Sequence, residues 1–221
     1  MISTDLFAAA SAPAPRDEPL CEGALVLRGF ALALGLPLLQ AIDAIVAQAP
    51  FRHLVTPGGL RMSVAMTNAG SLGWLSDRRG YRYDPTDPLS DLSWPPMPPA
   101  FLQLAAAAAA HAGFGEFAPD ACLVNRYTPG TRLSLHQDRD ERDYRQPIVS
   151  VSLGLPATFL FGGLQRSDRP QRVPLAHGDV VVWGGRARLR YHGVLPLKPG
   201  HHDLLGECRI NLTFRRAGPA E

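Results

Sequence analysis

The chain has 221 residues, of which 46% are hydrophobic and 19% charged, a composition typical of a folded globular domain and not of a disordered or fibrous protein. Its formal net charge of +2 is too small to indicate or exclude a nucleic-acid partner, so any surface that binds nucleic acid must be local. The three cysteines are far apart and form no Cys-x-x-Cys pair, which argues against a zinc knuckle or a disulfide framework and favours a cytoplasmic location.

The N-terminal residues 1–19 are rich in alanine and proline and show no periodicity. We therefore predict a flexible leader there, followed by a single domain over residues 20–221. The apolar stretch at residues 30–49 is interrupted by Gly35, Pro37 and Asp43. These interruptions argue against a membrane span, and no membrane partner is expected.

Two helices are predicted in the first half of the chain. Pro37 lies where a first helical turn tolerates proline, apolar residues follow at helical spacing as far as Val46, and Pro50 ends the run. The second helix is predicted to begin after the proline pair at 98–99, to contain six consecutive alanines and to end near Gly113. Both are interpreted as scaffold elements.

Between these helices, residues 51–94 mix aromatic side chains with arginines and turn residues. The aromatic residues are Trp74, Tyr81, Tyr83 and Trp94, and the interleaved arginines are Arg78, Arg79 and Arg82. Several Asp-Pro and Gly steps prevent one regular element from forming. The segment is therefore predicted to be a lid or recognition flap carried on short strands and turns.

From Ala121 onward the pattern changes to short apolar or alternating runs, separated by turns that contain glycine or proline. Strands are predicted at 122–127, 148–155, 158–161, 180–183, 189–192 and 209–214. Many short strands with this punctuation favour a sandwich or jelly roll over alternating βαβ units. With the two preceding helices, the predicted fold class is α+β.

The strongest chemical pattern in the sequence is His136-Gln137-Asp138. On an extended strand, side chains two residues apart point to the same face, so this imidazole and this carboxylate would converge. One more histidine from a distant strand would complete a two-histidine, one-carboxylate face, which suits non-haem Fe(II) because it leaves coordination positions open. His192, in a predicted strand and followed by Gly193, is the best placed candidate.

A polar face on the last predicted strand lies downstream of His192. Arg209, Asn211, Thr213 and Arg215 alternate with apolar residues there. For an isolated strand, a solvated outer face is the simpler explanation. Beside a metal face, however, an arginine that can form a forked contact to a dicarboxylate is what an oxoglutarate enzyme requires.

Beyond these motifs, the sequence resembles the AlkB family of Fe(II)- and 2-oxoglutarate-dependent dioxygenases over essentially the whole chain after the leader. The segments that carry the resemblance are Phe51-Arg through Val55-Thr-Pro-Gly-Gly, Met62-Ser-Val-Ala-Met-Thr-Asn, Asn125-Arg-Tyr, Leu133-Ser-Leu-His-Gln-Asp, Ile148-Val-Ser-Val-Ser-Leu-Gly-Leu-Pro, His177-Gly-Asp-Val-Val-Val-Trp-Gly-Gly, Tyr191-His-Gly and Arg209-x-Asn-Leu-Thr-Phe-Arg. The resemblance implies a double-stranded β-helix (jelly roll) core with flanking N-terminal helices, and a nucleotide-recognition flap at residues 51–94.

The resemblance also implies roles for individual residues. The catalytic iron ligands would be His136, Asp138 and His192. The residues that would hold 2-oxoglutarate are Asn125, Tyr127, Arg209, Asn211 and Arg215. The implied substrate contacts are Trp74, which would stack on a flipped base opposite His136, Asp140 near the exocyclic edge of that base, and Thr56, Met66, Tyr81 and Arg166. Arg166, with Arg169 and Arg172, would form a phosphate track or simply lie on a solvated loop.

The implied function is that of a DNA repair dioxygenase that demethylates 1-methyladenine and 3-methylcytosine in single- or double-stranded DNA, and in RNA. It would convert 2-oxoglutarate and O2 to succinate and CO2, release formaldehyde, and act as a cytoplasmic monomer. An alternative is an oxoglutarate oxygenase acting on tRNA, protein or a small molecule. A second alternative is a jelly roll that binds metal without turnover. The aromatic and basic flap favours a nucleobase, and the intact triad with Arg209 favours an active enzyme.

Three further residues have simpler expected roles. Trp94 and Trp183 are expected to be packing residues, since large aromatic side chains usually supply buried area. The triplet that begins at His177 is a second His-x-Asp, but the glycine inside it predicts a structural turn. Arg190 occupies a position where the family has an apolar or aromatic residue, and it is expected to alter contacts at the mouth of the site.

Overall fold

The computed structural model describes residues 16–218, and within that range the chain forms two α-helices and fifteen β-strands. The helices are α1 (Gly35–Gln48) and α2 (Pro99–His111). The strands are β1 (Arg16–Cys21), β2 (Ala24–Arg28), β3 (Ala65–Gly70), β4 (Gly73–Asp77), β5 (Gly80–Asp84), β6 (Thr86–Asp87), β7 (Leu92–Ser93), β8 (Ala121–Tyr127), β9 (Leu133–His136), β10 (Ile148–Gly154), β11 (Ala157–Phe161), β12 (Gln171–Leu175), β13 (Val180–Trp183), β14 (His192–Val194) and β15 (Arg209–Arg215).

Two antiparallel sheets form the core of the described region. The larger sheet has seven strands in the order β1-β2-β13-β10-β15-β8-β3, and the smaller has four in the order β12-β11-β14-β9. Neighbouring strands in both sheets are mostly distant in sequence, as in a jelly roll. The hairpins β4-β5 and β6-β7 lie outside both sheets.

The larger sheet is buried on both of its faces. One face packs against α1 and α2, whose buried side chains include Leu38, Ile42, Phe101 and Leu104. The other face packs against the smaller sheet through a second apolar cluster that contains Trp183. Because side chains alternate along a strand, each central strand sends one set of residues to the helices and the other to the space between the sheets.

Strand β15 shows how this layering positions the site. Ile210, Leu212 and Phe214 belong to the cluster beneath the helices. The alternate residues from Arg209 to Arg215 are also buried, although they are polar or charged. A solvated outer face for this strand is therefore wrong, since the polar residues point to the interior between the sheets.

Both predicted helices are confirmed. Pro37 lies in the first turn of α1, which ends just before Pro50, and Pro99 is the first residue of α2. Ala105, Ala108 and Ala109 of α2 are fully buried against the sheet, which their small size allows. Neither helix of the described range has the length and apolar character of a membrane span.

Two strand predictions require correction. Residues 16–19, assigned to the leader, belong to β1, which pairs with β2 at the sheet edge. Edge pairing tolerates Pro19, whose presence made the segment look unstructured. The rest of the leader, residues 1–15, lies outside the described residues. The strand predicted at 189–192 begins only at His192, because Gly185–Ala187 form a short 3-10 helix and a turn follows it, closed by the hydrogen bond from Arg190 N–H to the Ala187 carbonyl.

The segment 51–94 is not wholly separate from the core. Its strand β3 is an edge strand of the larger sheet, hydrogen-bonded to β8. Residues of the hairpin β4-β5 and of the tight turn at 56–60 line the same cavity as residues that lie between the two sheets. The sequence did not predict β2, β3 or β12, and β9 ends at His136, so Asp138 follows the strand instead of lying on it.

Candidate active site

The two histidines of the predicted triad meet across paired strands of the smaller sheet. His136 ends β9 and His192 begins β14, and the register places them opposite each other with ring centroids 4.3 Å apart. Asp138 brings its Oδ1 atom to 3.5 Å from Nε2 of His136 and 3.7 Å from Nε2 of His192. One ligand atom from each residue therefore lies within 4.8 Å of the others, a spacing at which a single ion could contact all three.

Backbone carbonyls orient both imidazole rings. Nδ1 of His136 lies 2.9 Å from the Ser134 carbonyl oxygen, and Nδ1 of His192 lies 3.0 Å from that of Arg190. Since a carbonyl only accepts, each Nδ1 carries the proton and each Nε2 has its lone pair free for a metal. Burial, with His136 nearby, lowers the pKa of His192 to about 3, so that ring is neutral and ready to bind a metal at physiological pH.

Asp138 is the anionic member of the triad and is held by a buried arginine. Its Oδ2 atom accepts hydrogen bonds from Nε of Arg215 at 2.8 Å and from Nη2 at 2.6 Å. Burial would raise the pKa of this carboxyl, but the charge of Arg215 outweighs that effect and holds the pKa well below the ordinary value. Asp138 is therefore a carboxylate with Oδ1 left to face the two histidines.

A second buried group lies deeper between the sheets, around Arg209. This residue is 1% exposed, its Nη2 donates to Oγ of Ser152 at 2.9 Å, and its guanidinium lies 5.0 Å from the Tyr127 ring centroid. Its Nε and Nη1 groups have no hydrogen-bond partner, and neither does Oδ1 of Asn125. A buried cation with two unpartnered N–H groups is costly on its own, so this cradle fits an anionic ligand such as a carboxylate.

The floor beside Arg209 is a network that the sequence reasoning only partly identified. Nδ2 of Asn211 donates to Oγ of Ser150 at 2.8 Å and to the Val151 carbonyl at 2.9 Å, while Thr213 donates to Asn211 Oδ1 at 3.0 Å. Ser150 was missed, as was Ser152. Their alternation with valines along β10 is the pattern that could have revealed them, because it repeats the alternation seen in β15.

At the cavity mouth, the β4-β5 hairpin presents two stacked aromatic rings. The rings of Trp74 and Tyr81 are 5.7 Å apart between centroids and inclined by 12°. Nε1 of Trp74 donates to Oδ2 of Asp140 at 2.9 Å. The hairpin therefore contacts Asp140, a predicted substrate residue in the loop that follows β9.

Beneath this mouth, the structure adds three residues that the sequence reasoning missed as site residues. Glu141 accepts hydrogen bonds from Tyr83 Oη at 2.7 Å and from Arg188 Nη2 at 3.0 Å. Nε of Arg215 lies 3.4 Å from the same carboxylate. No sequence pattern indicates this cluster, because it joins a loop, a hairpin and a turn that are far apart in the chain.

All the residues predicted for the site line one cavity of about 720 Å³. Its members include the three triad residues, the five predicted for 2-oxoglutarate, and Thr56, Met66, Trp74, Tyr81, Asp140 and Arg166. Met66 is 2% exposed and lies between the sheets, so it can reach a ligand only inside the cavity and not on the flap surface. Arg166 is exposed at the rim, with its guanidinium 6.0 Å from the Tyr191 ring centroid.

Of the four remaining predictions from the sequence, three are confirmed and one is wrong. Trp94 and Trp183 are buried, as predicted, and Trp183 also contacts the His192 ring with centroids 4.9 Å apart. His177 accepts the Gly154 N–H at 3.0 Å in a turn, as predicted. The Arg190 side chain does not line the cavity and instead donates to the Gly162 carbonyl at 2.8 Å, so the expected change at the site mouth is wrong.

Comparison with known proteins gives matches over nearly the whole chain. The model of the 2OG-Fe(II) oxygenase superfamily matches residues 25–215. The alpha-ketoglutarate-dependent dioxygenase AlkB of Escherichia coli (strain K12) is 58% identical over 217 residues, covering 98% of this chain and 99% of that protein, and the AlkB of Salmonella typhimurium gives the same values. The solved structure of OsALKBH1 has a TM-score of 0.79 and 28% identity, covering 91% of this chain and 100% of that chain. The similarity therefore extends well beyond the metal motif.

Proposed function

This chain belongs to the 2OG-Fe(II) oxygenase superfamily, and from that membership and the geometry of its cavity we propose that it is a DNA repair dioxygenase. It uses Fe(II), 2-oxoglutarate and O2 to demethylate N-alkylated bases, of which 1-methyladenine and 3-methylcytosine are the substrates we expect. The near full-length similarity to two bacterial proteins named alpha-ketoglutarate-dependent dioxygenase AlkB supports the assignment.

One observation carries the proposal. A triad of two histidines and a carboxylate, and a buried arginine with two unpartnered N–H groups, line the same cavity beneath a pair of stacked aromatic rings. These are the three parts that the reaction needs, namely a metal site, an anchor for a dicarboxylate and a platform for a flat base. No single part is as specific as the three together.

In this proposal His136, Asp138 and His192 would hold Fe(II) through two imidazole nitrogens and one carboxylate oxygen, a ligand set that suits non-haem iron. The bound iron, with 2-oxoglutarate and O2, supplies the oxidation of the alkyl carbon, and the products are succinate, CO2, formaldehyde and the unmodified base. The hydrogen bonds from both histidines to backbone carbonyls direct each Nε2 at the ion. Arg215 keeps Asp138 ionised and orients its free oxygen.

The distal carboxylate of 2-oxoglutarate is assigned to Arg209. Its Nε and Nη1 have no partner and can donate charge-assisted hydrogen bonds to an anion, while Tyr127 lies beneath the guanidinium and Ser152 accepts a hydrogen bond from Nη2. Asn125 and Asn211 complete the polar wall, and Arg215 lies between this wall and the metal ligands. The protein thereby positions the cosubstrate and excludes water from it.

The alkylated base is assigned to the space between Trp74 and His136. A cationic base such as 1-methyladenine would gain from stacking on the indole and from the carboxylate of Asp140, which already faces the indole nitrogen. Such a base no longer pairs normally, so extruding it from a duplex costs little and a single strand requires no extrusion. In this assignment residues 51–94 act as the nucleotide-recognition flap, with Thr56 and Tyr81 at its rim.

The wider assignment covers single- and double-stranded DNA, RNA as a further substrate, and a monomer acting in the cytoplasm. An oxoglutarate oxygenase of tRNA, protein or a small molecule is the alternative function, and the stacked rings at the cavity mouth favour a nucleobase over it. Human nucleic acid dioxygenase ALKBH1, 34% identical over 128 residues that cover 58% of this chain and 33% of that protein, also supports a nucleic-acid substrate.

The decisive experiment is to incubate the purified protein with Fe(II), 2-oxoglutarate, ascorbate and an oligonucleotide that contains 1-methyladenine. Mass spectrometry should show the loss of one methylene mass from the oligonucleotide, with formaldehyde and succinate formed in equal amounts. The same oligonucleotide without 2-oxoglutarate is the control. Succinate without any change in DNA or RNA would contradict a nucleic-acid substrate and favour the alternative oxygenase.

A further inference from the structure

The loop at residues 137–147 carries one residue of the metal triad and two residues that contact the β4-β5 hairpin at the cavity mouth. It follows β9 and has no regular secondary structure, so no ladder of backbone hydrogen bonds holds it. Asp138, at its start, belongs to the metal triad, while Asp140 contacts Trp74 and Glu141 contacts Tyr83 on the β4-β5 hairpin. The conformation of this loop therefore affects the metal site and the base platform together.

Arg188, which does not line the cavity, holds this loop through hydrogen bonds. Its Nη1 donates to the Asp138 carbonyl at 2.7 Å, its Nε to the Gln146 carbonyl at 3.1 Å, and its Nη2 to the Glu141 carboxylate at 3.0 Å. The guanidinium also lies 5.5 Å from the Tyr144 ring centroid. One side chain thus contacts the beginning, middle and end of the loop.

These contacts are shielded from water. The side chains of Arg188 and Glu141 are 3% and 2% exposed. Buried ion pairs with further hydrogen bonds have well-defined geometry, and removing one partner leaves an uncompensated charge. Arg188 lies outside the lining of the cavity, so its effect on the site must pass through the loop.

We propose that Arg188 is a positioning residue that fixes loop 137–147 in one conformation and so couples the metal ligands to the base platform. The path runs from the Arg188 guanidinium to the Asp138 backbone on one side. On the other side it runs through Glu141 and Tyr83 to the hairpin that carries Trp74. The part that concerns the base rests on the proposed function, whereas the part that concerns the loop and the metal does not.

The test compares Arg188→Met and Arg188→Lys with the wild-type protein. Lysine keeps the charge near Glu141 but cannot donate to three separated acceptors. Arg188→Lys should therefore restore the stability of the fold more fully than the order of loop 137–147. Arg186→Ala is the matched control, since Arg186 lies in the same turn but its side chain is 84% exposed. The measurements are Co(II) affinity, hydrogen exchange of residues 137–147, and the ratio of succinate to formaldehyde formed with methylated oligonucleotide.

Both Arg188 variants should bind Co(II) roughly 10- to 100-fold more weakly, as is typical when a residue that orients a metal ligand is lost. Their loop should exchange hydrogen faster, and they should form more succinate per formaldehyde. Unchanged metal affinity and unchanged exchange in the loop would overturn the proposal. If the wild-type protein bound Co(II) but left methylated DNA intact, the proposed function would be wrong, and the two binding measurements would still decide the role of Arg188.

A double variant, Arg188→Met with Glu141→Gln, separates positioning from folding when it is compared with Glu141→Gln alone, because Glu141 also contacts Arg215. It removes both buried charges and leaves an amide oxygen as acceptor for the Tyr83 hydroxyl. Its melting temperature should recover relative to Arg188→Met, while metal affinity and the product ratio remain altered. Recovery of all three properties together would show that Arg188 only stabilises the fold, and would overturn the proposal.

Discussion

At the scale of single residues, buried charges without local partners distinguish this cavity from an ordinary core. Burying an isolated charge is costly, and native proteins usually satisfy such groups. Arg215 and Asp138 satisfy each other, whereas Arg209 retains two N–H groups with no acceptor. The first arrangement is an ion pair that fixes a metal ligand, and the second indicates a group whose partner is a bound molecule.

The triad makes the first prediction. His136→Ala, Asp138→Ala and His192→Ala should each abolish demethylation and sharply weaken Co(II) binding, because three side chains share one ion. His111→Ala is the control, since that histidine is exposed and pairs with Asp17 away from the cavity. A triad variant with normal metal affinity and turnover would remove its residue from the site.

The second prediction concerns the cosubstrate. Arg209→Ala should raise the half-saturating concentration of 2-oxoglutarate by orders of magnitude, since truncating one partner of a buried charge-assisted contact costs roughly 2–5 kcal/mol. Titration of 2-oxoglutarate at saturating iron measures this. Arg126→Ala on the neighbouring strand β8 is the matched control, because Arg126 is exposed and packs over Phe51 outside the cavity.

Melting curves provide a second readout for Arg209. In the wild-type protein, 2-oxoglutarate at about 100 times its dissociation constant should stabilise the fold by about 2.7 kcal/mol, and this gain should vanish in Arg209→Ala. The variant without cosubstrate should melt no lower than the wild type, because it loses a buried cation whose N–H groups were unpartnered. An unchanged response to 2-oxoglutarate would place the anchor elsewhere, with Arg215 the next candidate.

At the scale of secondary-structure elements, the β4-β5 hairpin and the central strands have different roles. His136 on β9, His192 on β14 and the cosubstrate groups on β15 are fixed by sheet ladders, whereas Asp138 lies on the loop that follows β9. The hairpin is a two-stranded ribbon joined to the metal loop by side-chain contacts from Trp74 and Tyr83. Changes in the hairpin should therefore affect substrate binding more than oxidation.

The third prediction tests this division at Trp74. Trp74→Ala should weaken binding of a methylated oligonucleotide by about one to two orders of magnitude, since base–aromatic stacking is worth roughly 1–3 kcal/mol. Slow conversion of 2-oxoglutarate without substrate should stay nearly unchanged, because it needs only the metal and cosubstrate groups. Leu89→Ala, an exposed change in the same segment outside the cavity, is the control. Equal loss of both activities with a lower melting temperature would mean that Trp74 is a packing residue.

At the scale of the whole molecule, charge is distributed unevenly although the total is small. Four exposed arginines line the cavity opening, namely Arg61, Arg132, Arg139 and Arg166. Acidic groups near the mouth, such as Asp140 and Glu141, already have partners within the site. A nucleic-acid backbone would therefore meet a basic rim on a protein whose formal charge is only +2.

The fourth prediction follows from this rim. If single-stranded DNA contacts all four arginines, the logarithm of its affinity should fall with the logarithm of salt concentration with a slope of about −2.8. Arg132→Ala should reduce the steepness by about 0.7, and Arg186→Ala, on an exposed turn outside the cavity, should leave it unchanged. An affinity that does not change between low and physiological salt would contradict backbone contact at this rim.

The sequence by itself determined the elements whose cause is local. Helical spacing and prolines at the first turns located α1 and α2, and alternation with Gly and Pro punctuation located five of the eleven strands in the two core sheets, namely β8, β10, β11, β13 and β15. The His-x-Asp spacing, with His192 and Arg209 downstream, indicated the metal and cosubstrate groups because each residue type suits one kind of ligand. The edge strand β1 was not predicted, because an edge strand needs little of the alternation of apolar residues that marks a buried strand.

Only the tertiary structure decided which residues meet. The polar face of β15 is an interior wall because the smaller sheet covers it, and the sequence of the strand does not indicate that this face is covered. The register between β9 and β14 brings His136 and His192 together, and the ion pair of Arg188 with Glu141 joins residues 47 apart in the chain. Such contacts depend on long loops closing and on burial by distant segments, which short-range periodicity does not encode.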